Sequence, residues 1–329
     1  MAQEAQTPEQ LLVAIVNYRT PDLVINCLQS LAAEVSELGA QVVVADNDSG
    51  DGSVTQIQDA IATTSWQSWA TVLPLERNGG FAYGNNHIIQ PALASAKPPD
   101  YVLLLNPDTQ IYPGALQTLL DFMSAHPEVG IAGSRLEGQD GTPQHSAFRF
   151  PSFWSELDRA LALGAITQLL SRWVIAPAIP TTTTLTDWVS GACMIIRRAV
   201  FETVGLMDEH YFLYFEEVDF CRRAQHQGWS CGYIPQSRVI HFVGQSSGVN
   251  NPQRPRQPLP QYWFDSRLRY FLKHHGWLYT VFTDAASVTG LGLWKIRAWL
   301  QRKPDHSPHN LLQDQWRNSV WVRGVPQDV

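Results

Sequence analysis

Five short apolar runs recur through the first 135 residues and are separated by stretches with helical periodicity. Strands that are apolar at every position are typical of a parallel sheet covered on both faces, because neither face then meets water. In such sheets a ligand binds beyond the carboxyl ends of the strands. The pattern therefore predicts an α/β fold whose functional candidates are the polar residues after each strand. The predicted strands lie at 11–16, 41–46, 71–75, 101–105 and 129–133.

The composition argues against several classes of protein. Of 329 residues, 44% are hydrophobic and 16% charged, and 23 basic against 30 acidic residues leave a net charge of −7. A chain this acidic is a poor general nucleic-acid binder, because neutralising phosphates requires a basic surface. The four cysteines form no short-spaced pair, which argues against a structural zinc site and fits a reducing compartment. With no signal-peptide pattern and no apolar run of about 18 residues, the sequence predicts a cytoplasmic protein.

The rest of the chain is less regular. Residues 246–261 are rich in Gln, Pro and Asn, and we expect a mobile linker there. Helical periodicity over 262–275 and 277–301 predicts a helical C-terminal extension at 262–303, followed by a polar tail at 304–329. The other predicted elements are helices at 154–170 and 216–227 and strands at 192–197, 231–234 and 238–242.

Polar and glycine residues follow the predicted strands. A carboxylate such as Asp46, after the second strand, can accept hydrogen bonds from a base or a ribose, although Asp, Asn and Ser also form ordinary turns. After the third strand, Gly79, Gly80 and Gly84 permit phosphate or sugar to approach the backbone. Their spacing is neither G-x-G-x-x-G nor that of a P-loop, which disfavours a dehydrogenase and a P-loop enzyme.

Several further residues carry groups suited to catalysis. Asp108 follows the fourth strand and is placed to hold Mg²⁺ or Mn²⁺ on a diphosphate, although N-P-D also suits a type I turn. His241 alternates with apolar residues, as a core histidine also would. Three acids begin a predicted helix, where they would also complement its dipole. Because residues two apart face different ways on a helix, one of these acids can point at a reacting centre while the others serve structure. The three are Glu216, Glu217 and Asp219.

Six motifs, taken together and in this order, resemble the family 2 glycosyltransferases, and most of all their rhamnosyltransferase-type branch. They are V-N-Y, D-N-D-S-G-D-G-S, N-G-G-F-A-Y-G-N-N, N-P-D, D-W-V-S-G-A-C-M and F-L-Y-F-E-E-V-D-F-C-R-R. The resemblance covers about 11–244 and implies a GT-A fold, with a mostly parallel central sheet covered by helices on both faces. It implies a glycosyltransferase domain at 1–245, with a nucleotide-sugar half at about 11–135 and an acceptor half at 136–245.

The resemblance also implies roles for single residues. Asp46 would contact the nucleotide base, and Glu217 would be the catalytic base. Asp108 matches the last acid of a D-x-D motif and, with His241, would hold Mg²⁺ or Mn²⁺. The other residues expected to bind the nucleotide-sugar are Asn17, Asn78, Gly79, Asn86 and Asn106, and those expected to bind the acceptor are Trp188, Gly191 and Glu216.

Three positions depart from the family pattern. Asn106 stands where many members have Asp, which removes one negative charge from the metal site. Glu217 stands where Asp is usual, which lengthens the base by one methylene group. His87 stands where the third motif often has Gly.

The implied reaction is an inverting transfer from a nucleoside-diphosphate sugar to a hydroxyl of a glycan or a lipid-linked glycan. Deoxythymidine-diphosphate rhamnose is the donor that the resemblance suggests, and a uridine-diphosphate hexose is left open. One rival is a domain that binds nucleotide-sugar or glycan without catalysis. A second, a nucleotide-sugar pyrophosphorylase, is disfavoured because the first predicted strand leads into N-Y-R and not into a basic, Gly-rich loop.

The segment 277–301 is too polar and too rich in Gly to span a bilayer. Its Trp, Lys and Arg residues suit a helix that lies in a membrane interface. Since many acceptors of the family are lipid-linked, we expect weak peripheral contact with the inner face of the plasma membrane. An ordinary amphipathic helix packed on the main domain is the alternative.

Overall fold

The structure of the chain is a computed structural model that describes residues 10–242, 257–305 and 307–326. Its strands are β1 (Leu11–Asn17), β2 (Gln41–Asp46), β3 (Ala70–Pro74), β4 (Tyr101–Leu105), β5 (Thr109–Ile111), β6 (Val129–Glu137), β7 (Ala147–Phe148), β8 (Thr184–Thr186), β9 (Trp188–Val189), β10 (Cys193–Arg197) and β11 (Ser230–His241). Its helices are α1 (Pro21–Leu38), α2 (Ser53–Thr63), α3 (Gly80–Leu93), α4 (Ala115–Ala125), α5 (Phe153–Leu161), α6 (Gly164–Leu169), α7 (Arg198–Val204), α8 (Glu216–His226), α9 (Gln261–Leu300), α10 (Leu311–Arg317) and α11 (Val320–Arg323).

One large sheet organises the described residues. Its strand order is β3-β2-β1-β4-β10-β6-β11-β5, and β8 pairs with β11. Strands β3, β2, β1 and β4 are mutually parallel, and β11 is parallel to β6. Strand β10 runs antiparallel between β4 and β6 and joins the two parallel parts. The five strands predicted from apolar runs are β1 to β4 and β6, so the α/β prediction is confirmed.

The continuous apolar runs arise because each central strand is buried on both faces. Alternate residues of a strand point to opposite faces. Val13 and Ile15 of β1 pack with α1 and α4 in one core cluster, whereas Leu12 and Ala14 pack with α3 and α8 in a second cluster across the sheet. The sheet is therefore covered by helices on both sides, as predicted.

Some predicted elements differ in detail. The helix predicted at 154–170 is two helices, α5 and α6, because Ala162 adopts a left-handed conformation after α5. The strands predicted at 231–234 and 238–242 are the single strand β11, whose register shifts between Ile234 and Arg238. The segment predicted to be a polar tail contains α10 and α11, with Leu311 and Val320 buried. Most of the predicted linker at 246–261 lies outside the described residues.

Helix α9 contains both helical stretches that were predicted for the C-terminal extension. They join at Gly276, whose φ of 79° and ψ of 173° interrupt the helical conformation. A positive φ of this kind favours glycine, which has no Cβ atom to clash with the backbone. The helical C-terminal extension is thus present, with a kink between its two parts.

A buried ion network attaches α9 to α5. Arg267 is 2% exposed, and its Nε donates to Glu156 Oε2 at 2.8 Å while its Nη1 donates to Asp284 Oδ1 at 2.6 Å. Ser287 Oγ donates to the same Glu156 oxygen at 3.0 Å. Burial would raise the pKa of Glu156, but Arg159 and Arg267 lower it to about 2. The carboxylate is therefore charged, and the helices are joined by paired charges.

Helices α5 and α9 also approach closely at Gly290. A Cβ atom on Gly290 would lie 2.7 Å from the Cβ of Ala160 and 3.2 Å from its carbonyl carbon. Gly292, two residues further along α9, would have nothing within 4 Å of an added Cβ. Gly290 thus permits the contact, whereas Gly292 faces open space.

We expect Gly290→Ala to unfold more easily than Gly292→Ala, by about 1–3 kcal/mol in the free energy of unfolding, because only the first overpacks the contact. Both variants gain the same helix propensity, so the difference between them reports the packing alone. Urea unfolding followed by circular dichroism measures the difference. Equal stability of the two variants would show that α5 and α9 do not meet as described.

Candidate active site

A cleft of about 300 Å³ opens at the carboxyl ends of β1, β2 and β4. This is the edge at which ligands bind in parallel α/β sheets. Residues that are far apart in the chain meet there because the parallel strands end at the same edge. Its walls include Val16, Tyr18, Thr20, Asn47, Asn78, Gly80, Phe81, Asn106, Pro107, Asp108, Ser190, Gly191, Ala192, Phe212, Leu213, Tyr214, Glu216, Glu217 and His241.

Asn17 and Asp46 lie beneath the cleft and hold the first two loops together. Asn17 Nδ2 donates to Asp46 Oδ2 at 2.6 Å, and Ser49 donates to the same carboxylate from its Oγ at 2.7 Å and its backbone nitrogen at 3.0 Å. Both Asn17 and Asp46 are buried and are not among the cleft-lining residues. Tyr18 and Asn47, next to each of them in the chain, form the wall instead.

The start of α3 forms the second wall. Asn78 lines the cleft, and its Oδ1 accepts a hydrogen bond from Gly80 N at 3.1 Å. Gly80 has φ of 87°, and a Cβ atom there would lie 1.8 Å from the carbonyl oxygen of Phe212. Phe81 N donates to that same oxygen at 3.0 Å, so the glycine brings α3 against the loop before α8. Gly79 precedes the helix but is not among the cleft-lining residues.

Two other predicted site residues lie away from the cleft. Asn86 is buried; its Nδ2 donates to Met207 O at 2.8 Å, and its Oδ1 accepts from Met207 N at 3.1 Å. Trp188 stacks on Phe148 at 4.2 Å and donates from its Nε1 to Arg149 O. Both side chains join segments of the fold, whereas Gly191, predicted with Trp188, does line the cleft.

Asp108 and His241 come together because β5 and β11 pair. His241 is opposite Thr109 in that pairing, and Phe242 N donates to the carbonyl of Asp108. His241 Nε2 lies 3.6 Å from Asp108 Oδ1, and the two side chains are 15% and 1% exposed. Asn106 lines the same part of the cleft.

The donor set at Asp108 suits a divalent cation that completes its coordination with substrate. Across the described ranges, no group of three or more His, Cys, Asp or Glu side chains is arranged to hold a metal ion. Mg²⁺ and related ions are often held by one or two carboxylates together with substrate phosphates. One carboxylate and one imidazole therefore fit such an ion when a diphosphate is present.

Glu216 and Glu217 begin α8 and line the cleft, after a strained corner of the backbone. Tyr214 and Phe215 have φ of 68° and 70°, values that are uncommon for residues other than glycine. Aromatic packing holds the corner: Tyr214 stacks on Tyr262, and Phe215 packs against Tyr270 of α9. Such strain often occurs at functional sites, where the surroundings impose the geometry.

Each of the two glutamates has one buried carboxylate oxygen that lacks a hydrogen bond from the described residues. In both Glu216 and Glu217 this atom is Oε2. Burial raises the pKa of both carboxyls, and the charge of Glu217 raises that of Glu216 further. Carboxyls with raised pKa values in a cleft are candidates for acid–base chemistry or for binding a ligand.

Asp219, the third acid, belongs to a structural network. Its Oδ1 accepts from Lys273 Nζ at 2.8 Å and lies 2.7 Å from His274 Nε2, and its Oδ2 accepts from Arg223 Nε at 2.8 Å. Burial would raise the pKa of Asp219, but these partners lower it to about 2. Asp219 is thus a charged link between α8 and α9, outside the cleft lining.

The aromatic residues Phe81, Phe212 and Tyr214 line the cleft and were not predicted as site residues. They lie in two of the six motifs, but an aromatic residue in a motif can equally belong to the hydrophobic core. The start of α3 meets the loop before α8 where Gly80 and Phe81 approach the Phe212 carbonyl, and neither segment contains a sequence signal for that contact.

The raised pKa values predict a pH effect on stability. As pH rises above the ordinary Glu pKa, the unfolded chain releases protons that folded Glu216 and Glu217 keep. The contribution of these two carboxyls to the free energy of unfolding should therefore fall as pH rises through the raised values, and Glu216→Gln should lose less stability than wild type over that range. Burial lowers the pKa of His274 and His275, which act in the opposite direction, so the difference between variant and wild type is the quantity to compare. Urea unfolding at about pH 5 and about pH 8 measures the change. Glu76→Gln, at an exposed position, is the matched control, and an equal pH effect in both variants would contradict the prediction.

The family model described as glycosyl transferase family 2 matches residues 12–205. The chain is 29% identical over 259 residues to the N-acetylglucosaminyl-diphospho-decaprenol L-rhamnosyltransferase of Mycobacterium tuberculosis, covering 74% of this chain and 78% of that protein.

Two solved structures share the fold. GalNAc-T7 with UDP, GalNAc and Mn²⁺ has a TM-score of 0.59 at 16% identity, over 94% of this chain. The match covers 55% of GalNAc-T7, so this chain corresponds to about half of that protein. The mannosyltransferase PcManGT of Pyrobaculum calidifontis, with GDP-Man and Mn²⁺, has a TM-score of 0.55 at 13% identity, over 98% of this chain and 83% of that one. The chain thus has a GT-A fold and belongs to glycosyl transferase family 2, with rhamnosyltransferases among its relatives.

Proposed function

We propose that this glycosyltransferase is an inverting enzyme that moves a sugar from a nucleoside-diphosphate donor to a hydroxyl of a glycan or lipid-linked glycan. One observation carries the proposal: Glu217, whose buried carboxylate oxygen has no hydrogen-bond partner among the described residues, lines the same cleft as Asp108 and His241. A base and a diphosphate site in one cleft are what direct displacement of a nucleoside diphosphate requires.

The donor end of the cleft contains Asp108, His241 and Asn106. Asp108 and His241 would hold a Mg²⁺ or Mn²⁺ ion, which when bound neutralises charge on the leaving diphosphate. Two structures of the same fold were solved with Mn²⁺, which supports this choice. Asn106 is a neutral oxygen ligand or hydrogen-bond donor, so we expect weaker metal affinity than a site with two carboxylates would have.

The acceptor end contains the two glutamates. Glu217 accepts the proton of the attacking hydroxyl, and its raised pKa suits a base near neutral pH. Glu216, whose pKa is also raised, can stay protonated and donate a hydrogen bond to acceptor or donor sugar. Gly191 leaves room beside Phe81 and Glu217, since an added Cβ would lie 3.3 Å from the Phe81 ring and 3.9 Å from Glu217 Cβ.

The sugar would be rhamnose on a deoxythymidine diphosphate. The relative from Mycobacterium tuberculosis is named as an N-acetylglucosaminyl-diphospho-decaprenol L-rhamnosyltransferase, which supports rhamnose as the sugar and a lipid-linked acceptor. A thermal-shift screen of nucleoside-diphosphate sugars with and without Mn²⁺ identifies the donor for the assays below. Stabilisation by a uridine-diphosphate hexose and not by the rhamnose donor would correct the sugar.

Glu217→Gln should lower kcat by about 10²–10⁴-fold, because the amide keeps the shape of the side chain but cannot take the proton. Donor affinity, measured by isothermal titration, should stay near the wild-type value. Asp219→Asn is the comparison, since it alters the neighbouring acid that lies outside the cleft lining and should mainly reduce stability. Near-wild-type turnover by Glu217→Gln together with an inactive, folded Asp219→Asn would reverse the two roles.

Asp108→Ala should abolish Mn²⁺-dependent binding of the nucleoside diphosphate, because it removes the carboxylate of the proposed metal site. Calorimetric titration of the diphosphate, with Mn²⁺ and with EDTA, measures this directly. Asp121→Ala, an exposed acid on α4, should bind like wild type in both conditions. Full activity of the wild-type enzyme in excess EDTA would contradict the metal assignment.

A further inference from the structure

The outer half of α9, residues 277–300, buries polar side chains and exposes apolar ones. Its fully buried residues are largely polar: Thr280, Thr283, Asp284 and Ser287 each have 0% exposure. Large apolar side chains are exposed along one face of this segment, in a series of exposed positions spaced three or four residues apart. They are Leu278 (61%), Phe282 (58%), Leu293 (52%), Ile296 (58%) and Leu300 (67%), with Ala285 and Thr289 between them.

This orientation is imposed by buried partners. Asp284 accepts from Arg267 Nη1 and, through Oδ2, from Val320 N at 2.7 Å, while Ser287 donates to Glu156. Turning the outer half of the helix about its axis would bury the apolar face. It would also separate the buried charges of Arg267 and Asp284, which is strongly unfavourable. The apolar face is therefore held outward by the fold. Surface helices of soluble proteins normally show the opposite arrangement.

Exposed tryptophan residues lie on α9 and on the two short helices α10 and α11. Trp299 is 79% exposed, and Trp277, Trp316 and Trp321 are 55%, 52% and 36% exposed. Trp316 of α10 lines a groove with Val288 and Lys295 of α9, and its ring lies 5.7 Å from that of Trp321. Tryptophan is enriched where protein meets the headgroup region of a bilayer, since its ring is apolar and its N–H is polar.

The charges near this face are mostly positive, although the whole chain carries −7. Between residues 276 and 303 the cations are Lys295, Arg297, Arg302 and Lys303, and the single acid, Asp284, is buried against Arg267. Asp305 lies 3.7 Å from Lys295 and offsets part of that charge. An apolar face with cations beside it complements a surface of anionic lipid.

We infer that the outward apolar face of α9, with its flanking tryptophans and cations, docks on an anionic membrane surface. None of the helices in the described ranges is both long and apolar enough to cross a membrane. This membrane contact rests on the proposed function, because a lipid-linked acceptor would lie in the same membrane surface. The first half of α9, residues 261–275, packs through Tyr262 and Tyr270 on the strained corner at Tyr214 and Phe215. The two halves of α9 thus connect the proposed membrane contact to the cleft.

The first test removes apolar surface. The full chain with Ile296→Gln, Trp299→Gln and Leu300→Gln combined should co-sediment with phosphatidylcholine–phosphatidylglycerol vesicles about tenfold less than wild type, since binding scales with buried apolar area. Leu185→Gln is the matched control, because Leu185 is 64% exposed on β8, close to the 67% of Leu300. Wild-type binding by the triple variant would overturn the inference.

The second test removes charge. Arg302→Gln with Lys303→Gln should weaken binding to the anionic vesicles at low salt and change little on pure phosphatidylcholine, because lipid charge acts over about a Debye length. Lys97→Gln, at an exposed turn after α3, is the charge control and should bind as wild type does. Equal losses for both variants would indicate a general effect of net charge and contradict a local cationic site.

Two measurements separate this inference from the proposed function. Binding of a nucleoside diphosphate by the triple variant, followed by thermal shift, should match wild type because the altered residues lie outside the cleft lining. If the wild-type protein binds the nucleoside diphosphate but does not bind vesicles, the membrane contact is wrong and the proposed function is unaffected. If wild type instead sediments as a dimer that the triple variant converts to a monomer, the face contacts a second copy and the inference is wrong.

Discussion

The buried guanidinium of Arg267 is the interaction on which the C-terminal part of the structure depends. It lies on α9 between Glu156 of α5 and Asp284 further along α9, at 2% exposure. A charge at this depth is tolerated only when it is paired and hydrogen-bonded, so the three groups must keep their relative positions. That requirement sets the rotation of both halves of α9 about its axis. It thereby decides which α9 residues pack on the backbone corner before Glu216 and which meet solvent.

The strained backbone corner at Tyr214 and Phe215 depends on the same helix. Tyr214 and Phe215 occupy left-handed conformations that each cost of the order of 1–3 kcal/mol, and packing must offset this. Their aromatic neighbours Tyr262, Trp263 and Tyr270 all belong to the first half of α9. The sheet supplies Asn106 and Asp108 to the cleft from its strand ends, whereas the corner before Glu216 and Glu217 is held by a helix from the C-terminal part of the chain. The extension beyond the sheet therefore supports the candidate site without lining the cleft.

The central sheet could be predicted from sequence because burial on both faces produces continuous apolar runs, and those runs are local. The residues of the cleft could be predicted only in part. Asn78, Asp108 and Glu217 line it as expected, whereas Asn86 and Trp188 are used by the fold through partners more than 30 residues away in the chain. A polar residue in a motif has the same appearance whether it faces a ligand or a buried carbonyl.

The C-terminal region shows why hydrophobic pattern alone could not settle its role. An amphipathic helix is normally assumed to bury its apolar side, and under that assumption residues 277–300 would pack their leucines on the domain. The buried ion network reverses the assignment, because pairing Asp284 and Ser287 with Arg267 and Glu156 outweighs the exposure of several apolar side chains. Polar contacts that span more than 100 residues in sequence thus determine which face is outside. An enzyme with a lipid-attached acceptor would gain from the arrangement we propose, because the helix whose outer half would contact the bilayer also packs, through its first half, on the backbone corner before Glu217.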